Sequence, residues 1–133
     1  MLTDHTFSDI SKSAQLNMNA CTVQPKTYWI KCLRLWQKIT DDQILFMQSE
    51  SNYSTIYYVS KQQTIEKIVT SRTLKHWHRL FETAHLIRIH NRFVVNSNRI
   101  LSIDKMQHKV VLEGDRCVPY SRSRRSLLVR REA

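Results

Sequence analysis

From Tyr28 onward the chain is a succession of short apolar runs, each cut off by a cluster of turn-forming side chains. The cuts recur at roughly the 8–12-residue spacing of antiparallel β domains. Strands are therefore predicted at Tyr28 to Leu35, Ile44 to Gln48, Thr55 to Val59, Thr64 to Val69, Leu86 to Ile89, Phe93 to Val95, Ile100 to Ile103, Val110 to Leu112 and Arg116 to Pro119. Between them lie Thr40-Asp41-Asp42, Ser51-Asn52, Asn96-Ser97-Asn98 and Glu113-Gly114-Asp115, residues that close turns with their own side chains or tolerate left-handed backbone. Gly114 is the only glycine in the chain and marks a hairpin turn between the last two strands.

One segment departs from this rhythm. Leu74, Trp77 and Phe81 recur at i, i+3 and i+7 behind the candidate N-caps Ser71 and Thr73, which predicts an amphipathic helix of about two turns covering one face of a sheet. The tail from Arg122 to Arg131 can also coil, with Leu127 and Leu128 inward, but so short a helix depends on docking. The expected fold is all-β: short antiparallel sheets of about nine to ten strands with one small helix.

Length and composition set the outer limits. A chain of 133 residues with 41% apolar side chains can build one ordinary core. Residues 1–25 are rich in Ser, Thr, Asn and Asp and end at Pro25, so a flexible polar leader is expected ahead of a domain spanning 26–131. The start MLTDHTFSDISKSAQ lacks the basic and apolar stretches of a secretory signal, and no window approaches the ~20 apolar residues of a membrane span. A cytoplasmic protein without membrane insertion is expected. Cys21, Cys32 and Cys117 fit neither a disulfide framework nor a metal knuckle. They read as reduced thiols, with Cys32 and Cys117 in apolar company as small apolar side chains.

Charge says more about partners. Lys and Arg number 21 against 11 Asp and Glu, a formal +10, so a wide positive potential must cover the surface. A polyanion is the simplest partner: nucleic acid or, second to it, an anionic leaflet.

Three stretches read in order narrow this further: QILFMQSESNYSTIYY (43–58), LIRIHNRFVVNSNRILSI (86–103) and CVPYSRSRRSLL (117–128). Together they resemble the LytTR DNA-binding domain. That family runs from an Ile-rich strand into an ES-N-Y turn, a Leu-Lys helix, the run F-R-I-H-x-x-[FY]-x-V-N and finally [IV]-P-[VY]-S-R. Here stand Glu50-Ser51-Asn52-Tyr53, Leu74-Lys75, Ile87-Arg88-Ile89-His90 with Phe93 and Asn96, and Val118-Pro119-Tyr120-Ser121-Arg122. The resemblance extends from about Pro25 to Leu128. It implies a bacterial transcription regulator that binds double-stranded DNA sequence-specifically, with loops in successive major grooves. Relatives commonly carry a receiver domain first; the polar leader encodes none, so a separate signalling or inhibitory protein is one expected source of input. Ile87 replaces the family's usual Phe, an apolar exchange, and Asn91-Arg92-Phe93 replaces Arg-Ser-[FY].

Each matched stretch puts polar or basic side chains in a turn flanked by core strands. Asn52 offers an acceptor and donors to an adenine edge, and Tyr53 or Ser54 can reach phosphate; an Asx turn beside a core Tyr is the bland alternative. His90, Asn91 and Arg92 form the densest cluster. Arg92 suits a guanine edge or a phosphate, and His90 is either a contact or a post that holds the loop. Asn91 can pair bidentately with adenine, and the resemblance favours it as a base reader. Asn96 reads as a structural turn amide. In the third stretch the family's reading position falls on Ser123, so Arg122 or Arg124 must substitute for it, while Arg125 continues an arginine run suited to phosphate. A solvated basic tail is the alternative.

Other classes find less support. The carboxylates Asp41, Asp42, Glu50, Glu66, Glu82, Asp104, Glu113 and Asp115 are scattered, with no catalytic arrangement, so an enzyme is not expected. His76 and His78 point apart on a helix and gain no further ligand, so neither metal nor cofactor is expected. RNA or a protein partner is the rival reading; against it, Trp29, Trp36 and Trp77 all fall at expected core positions. Because one such domain reads few bases, a homodimer on repeated half-sites is expected.

Overall fold

A computed structural model describes residues 25–81 and 85–129, so the expected leader lies outside the described residues except for Pro25. Three antiparallel sheets form among these residues. A hairpin pairs β1 (Thr27–Cys32) with β2 (Leu35–Thr40). The central sheet contains β3 (Ile44–Glu50), β4 (Tyr53–Val59), β5 (Ile65–Thr70), β6 (Leu86–His90) and β7 (Phe93–Asn96), in the order β5-β4-β3-β7-β6. The third sheet contains β8 (Ile100–Asp104), β9 (Lys109–Leu112) and β10 (Arg116–Pro119), in the order β10-β9-β8. Helix α1 (Leu74–Phe81) follows β5, and a single turn, α2 (Ser126–Val129), follows β10. The all-β expectation holds, with the tail contributing a second small helix.

The central sheet is covered on both faces. On one side Ile30 and Ile39 of the hairpin and Leu74, Trp77 and Phe81 of α1 pack on Met47, Ile56, Ile68 and Val94. On the other, Val110, Leu112, Val118 and Leu128 pack on Leu45, Phe46, Ile89 and Val95. This two-sided burial explains the unbroken apolar run Ile44-Leu45-Phe46-Met47, which no half-exposed strand would need. A register shift between Ile44 and Phe46 lets the adjacent Leu45 and Phe46 serve the same core.

Local chemistry fixes the ends of the elements. Thr73 caps α1, its Oγ1 accepting from the His76 amide at 3.1 Å, and the Trp77 indole donates to Thr70 Oγ1 at 2.7 Å. Gly114 adopts φ +79° between β9 and β10, and a Cβ there would lie 2.3 Å from an Ile65 methyl. Asn96 is buried; its amide donates to Ile44 O at 2.8 Å and accepts from the Asn98 amide at 3.0 Å, the structural role expected for it.

Three expectations are corrected. The single strand predicted from Tyr28 to Leu35 is two strands, because Leu33 turns the chain with φ 58° in the left-handed region, where a Leu is unusual. Trp29 and Trp36, expected in the core, are each 61% exposed, since the hairpin register turns them to the side opposite Ile30 and Ile39. Cys117 is exposed rather than packed, while Cys32 is half-buried against the first core.

Candidate nucleic-acid interface

Strand register brings the turns of the first two matched stretches to one end of the central sheet. The turn Ser51-Asn52 links β3 to β4, with Glu50 opposite Tyr53. The turn Asn91-Arg92 links β6 to β7, with His90 opposite Phe93. Because β7 runs antiparallel beside β3, the Arg92 carbonyl accepts from the Ser49 amide at 2.9 Å, and the two turns are neighbours. The third stretch joins the row where the Ser121 amide donates to Ile89 O at 2.8 Å. Thr70 opposite Ser54 sets Arg72 beside the first turn, so basic side chains extend the row at both ends.

The second turn is the most tightly held. Arg88 Nη2 donates to the Asn91 carbonyl at 2.6 Å, and His90 Nδ1 accepts from the Arg92 amide at 3.1 Å. That bond makes Nδ1 the acceptor of the imidazole, whose ring also stands edge-on to Phe93 at 5.5 Å. Three bonds therefore fix the backbone of the turn, while the Asn91 and Arg92 side chains are exposed and make no hydrogen bond among the described residues. Because the chain reverses at Asn91-Arg92, His90 and Arg92 do not share one face of a strand.

The third stretch is held through its backbone. The amides of Arg124 and Arg125 close on the carbonyls of Ser121 and Arg122, and Leu128 anchors the following turn in the core. Ser121 and Ser123 hydroxyls lie 3.3 Å apart. Arg122, Ser123 and Arg125 are exposed, Arg124 is half-buried, and none of the three arginines forms an ion pair among the described residues. Burial, and then the neighbouring Arg124, push the Arg88 guanidinium below its ordinary value. Arg88 Nε is buried without a partner among the described residues. The second and third stretches thus bring two like charges close enough to repel one another.

The LytTr DNA-binding domain profile matches residues 36–131. The chain belongs to the LytTr DNA-binding domain family. Its fold is similar to the LytTr DNA-binding domain of a protein described as a methyl-accepting/DNA response regulator from Bacillus cereus. The TM-score is 0.65 at 18% identity, covering 78% of this chain and 94% of that one. A search of curated proteins finds no match. LytTr domains are DNA-binding modules of transcription regulators and not a family of enzymes.

Within this LytTr domain the predicted residues divide. Asn52, Tyr53, Asn91, Arg92, Arg122, Ser123 and Arg125 are exposed along the shared edge. Ser54 is not available: it is fully buried, its hydroxyl donating to Arg72 O at 2.7 Å and lying 3.3 Å from Thr70 Oγ1. His90 is half-buried and holds the loop. Sequence reasoning missed Arg88 and Arg72; the position of Arg88 in the matched run was visible, but its bond to a turn carbonyl was not. Among the described residues no cluster of His, Cys, Asp and Glu could hold a metal ion; a His78 ring nitrogen is within 3.1 Å of Leu86 O. No helix among them is long and apolar enough to cross a membrane.

Proposed function

We propose that the domain binds double-stranded DNA sequence-specifically as part of a bacterial transcription regulator, by inserting the row of turns into the major groove. The observation that carries this reading is the Asn91 turn: a backbone fixed by three hydrogen bonds presenting an amide that, among the described residues, is free, beside arginines that have no acidic partner among those residues. A carboxamide held in place can pair bidentately with adenine N6 and N7, whereas a mobile one loses its discrimination to entropy. Asn52 and Tyr53 act from the first turn, Asn91 and Arg92 from the second, and Arg122, Ser123, Arg124 and Arg125 from the third. His90 positions the second turn. A phosphate lying between Arg88 and Arg124 would offset their repulsion and the desolvation of Arg88, which favours a backbone contact there.

One turn of each kind reads few bases, so tight operators are expected to repeat a half-site about one helical turn apart and to recruit two copies. Input from a separate signalling or inhibitory protein and action in the cytoplasm belong to the same reading. Selection of bound duplexes from a random pool tests it. An enriched motif, repeated at helical spacing and lost with Asn91→Ala, is the expected result. Recovery of unenriched sequence at every round would leave only non-specific binding.

A further inference from the structure

All three tryptophans of the chain border a single groove. It runs between the β1–β2 hairpin, the end of β5 and α1, and encloses about 780 Å³. Trp77 is buried at its wall, but Trp29 and Trp36 each keep 61% of their surface exposed. The hairpin register sets Trp29 opposite Lys38 and Lys31 opposite Trp36, so rings and cations alternate along and across its outer face. Lys38 Nζ stands 5.7 Å from the Trp29 ring centre. Among the described residues the groove is lined by Lys31 and Arg72 and by no carboxylate.

Exposed aromatic surface of this extent marks a contact surface. We propose that it binds single-stranded DNA, with unpaired bases stacking on Trp29 and Trp36 and phosphates meeting Lys31, Lys38 and Arg72. Aromatic platforms interleaved with cations suit unpaired nucleotides, because every base has a π-face and every linkage a charge. Trp29 and Trp36 are diagonal neighbours across the hairpin, a relation that spans about 7–8 Å in an antiparallel pair. That is roughly twice the 3.4 Å step of a stacked strand, room for bases whose stack has opened.

Charge argues against a second copy of this chain as the occupant, since Lys31, Lys38 and Arg72 would meet their own counterparts with no acid between them among the described residues. Placement argues for DNA as the source of the strand. Tyr53 and Arg72 form one end of the groove, beside the first turn of the duplex-reading edge, so a strand released from that duplex meets the groove directly. Paired bases have no free faces, so this function is separate from duplex reading and rests on Trp29 and Trp36, which the duplex-reading edge does not use.

The test is titration of the full chain with an oligo(dT) of about 12 nucleotides, read by intrinsic tryptophan fluorescence. Saturable quenching is expected. Trp29→Ala and Trp36→Ala should each weaken binding by roughly 5- to 150-fold, the loss that accompanies one stacked base. Lys31→Glu should also weaken it and flatten its salt dependence, while both Trp variants keep wild-type affinity for the selected duplex. Equal affinity of oligo(dT) for wild type and both Trp variants would overturn the proposal, placing the strand on the duplex-reading edge. So would a preference for oligo(rU) of the same length, quenching by a Phe-Glu peptide in place of oligo(dT), or a dimer in sedimentation abolished by Trp36→Ala. Failure of duplex selection would remove only the duplex comparison and leave the oligo(dT) outcomes, which decide the proposal, unaffected.

Discussion

The turn at Asn91-Arg92 and the arginine run from Arg122 to Arg125 lie side by side at one end of the central sheet, yet they are held in opposite ways. In the turn, neighbouring groups fix the backbone: Arg88 grips the Asn91 carbonyl, His90 accepts from the Arg92 amide, and the Ser49 amide donates to the Arg92 carbonyl. In the run, the backbone is closed on itself while the long side chains stay without acidic partners among the described residues. A fixed amide can carry sequence information, because a base edge is recognised only in one geometry. Mobile cations carry affinity, because a phosphate rewards charge over a range of positions. On the proposed function, the domain would separate reading from gripping on adjacent loops.

The largest expected effect comes from releasing the anchored turn. Arg88→Ala removes a hydrogen bond from a charged donor and frees Asn91, so cognate affinity should fall by about 2–4 kcal/mol. Arg88→Lys restores charge without the planar fork and should recover only part of the loss. Duplex titration of both variants, with circular dichroism to establish that each keeps its β structure, checks this; full recovery by Lys would reduce Arg88 to a simple cation.

Asn91→Ala should come next, costing about 1–3 kcal/mol on the cognate duplex and almost nothing on a scrambled one. His90→Ala removes one neutral hydrogen bond from the turn and should cost a smaller 0.5–1.5 kcal/mol or so, again on cognate DNA only. An equal His90 loss on scrambled DNA would make the imidazole a phosphate contact and blur the contrast between the loops. Arg125→Ala should have the smallest effect at moderate salt, similar on both duplexes.

Much of this arrangement was legible in the residues. Gly114 marked its hairpin because no other residue type turns there without strain, and Leu74, Trp77 and Phe81 marked α1 by spacing. The order of the three matched stretches supplied the family. What escaped were features decided by pairing between distant segments. Leu33 turns a hairpin without turn chemistry, and the strands it joins, TYWIKC and LWQKIT, are apolar on both faces, so nothing local told which tryptophans face solvent. Ser54 looked like a fingertip beside Tyr53, yet its alternate position in β4 points it at Thr70 and Arg72. Arg88 acts through a main-chain atom that only the folded turn brings within reach.

The division of labour between the two loops is tested most directly by salt titration of Asn91→Ala and Arg125→Ala on cognate and scrambled duplexes. For Asn91→Ala the plot of log affinity against log salt should drop on the cognate duplex without a change of slope, and stay on the wild-type line for the scrambled one. For Arg125→Ala the slope should flatten by about 0.9 on both, the value for one lost phosphate neutralisation. Equal losses on both duplexes for Asn91→Ala, with a flattened slope, would contradict the account and make the anchored turn one more phosphate grip.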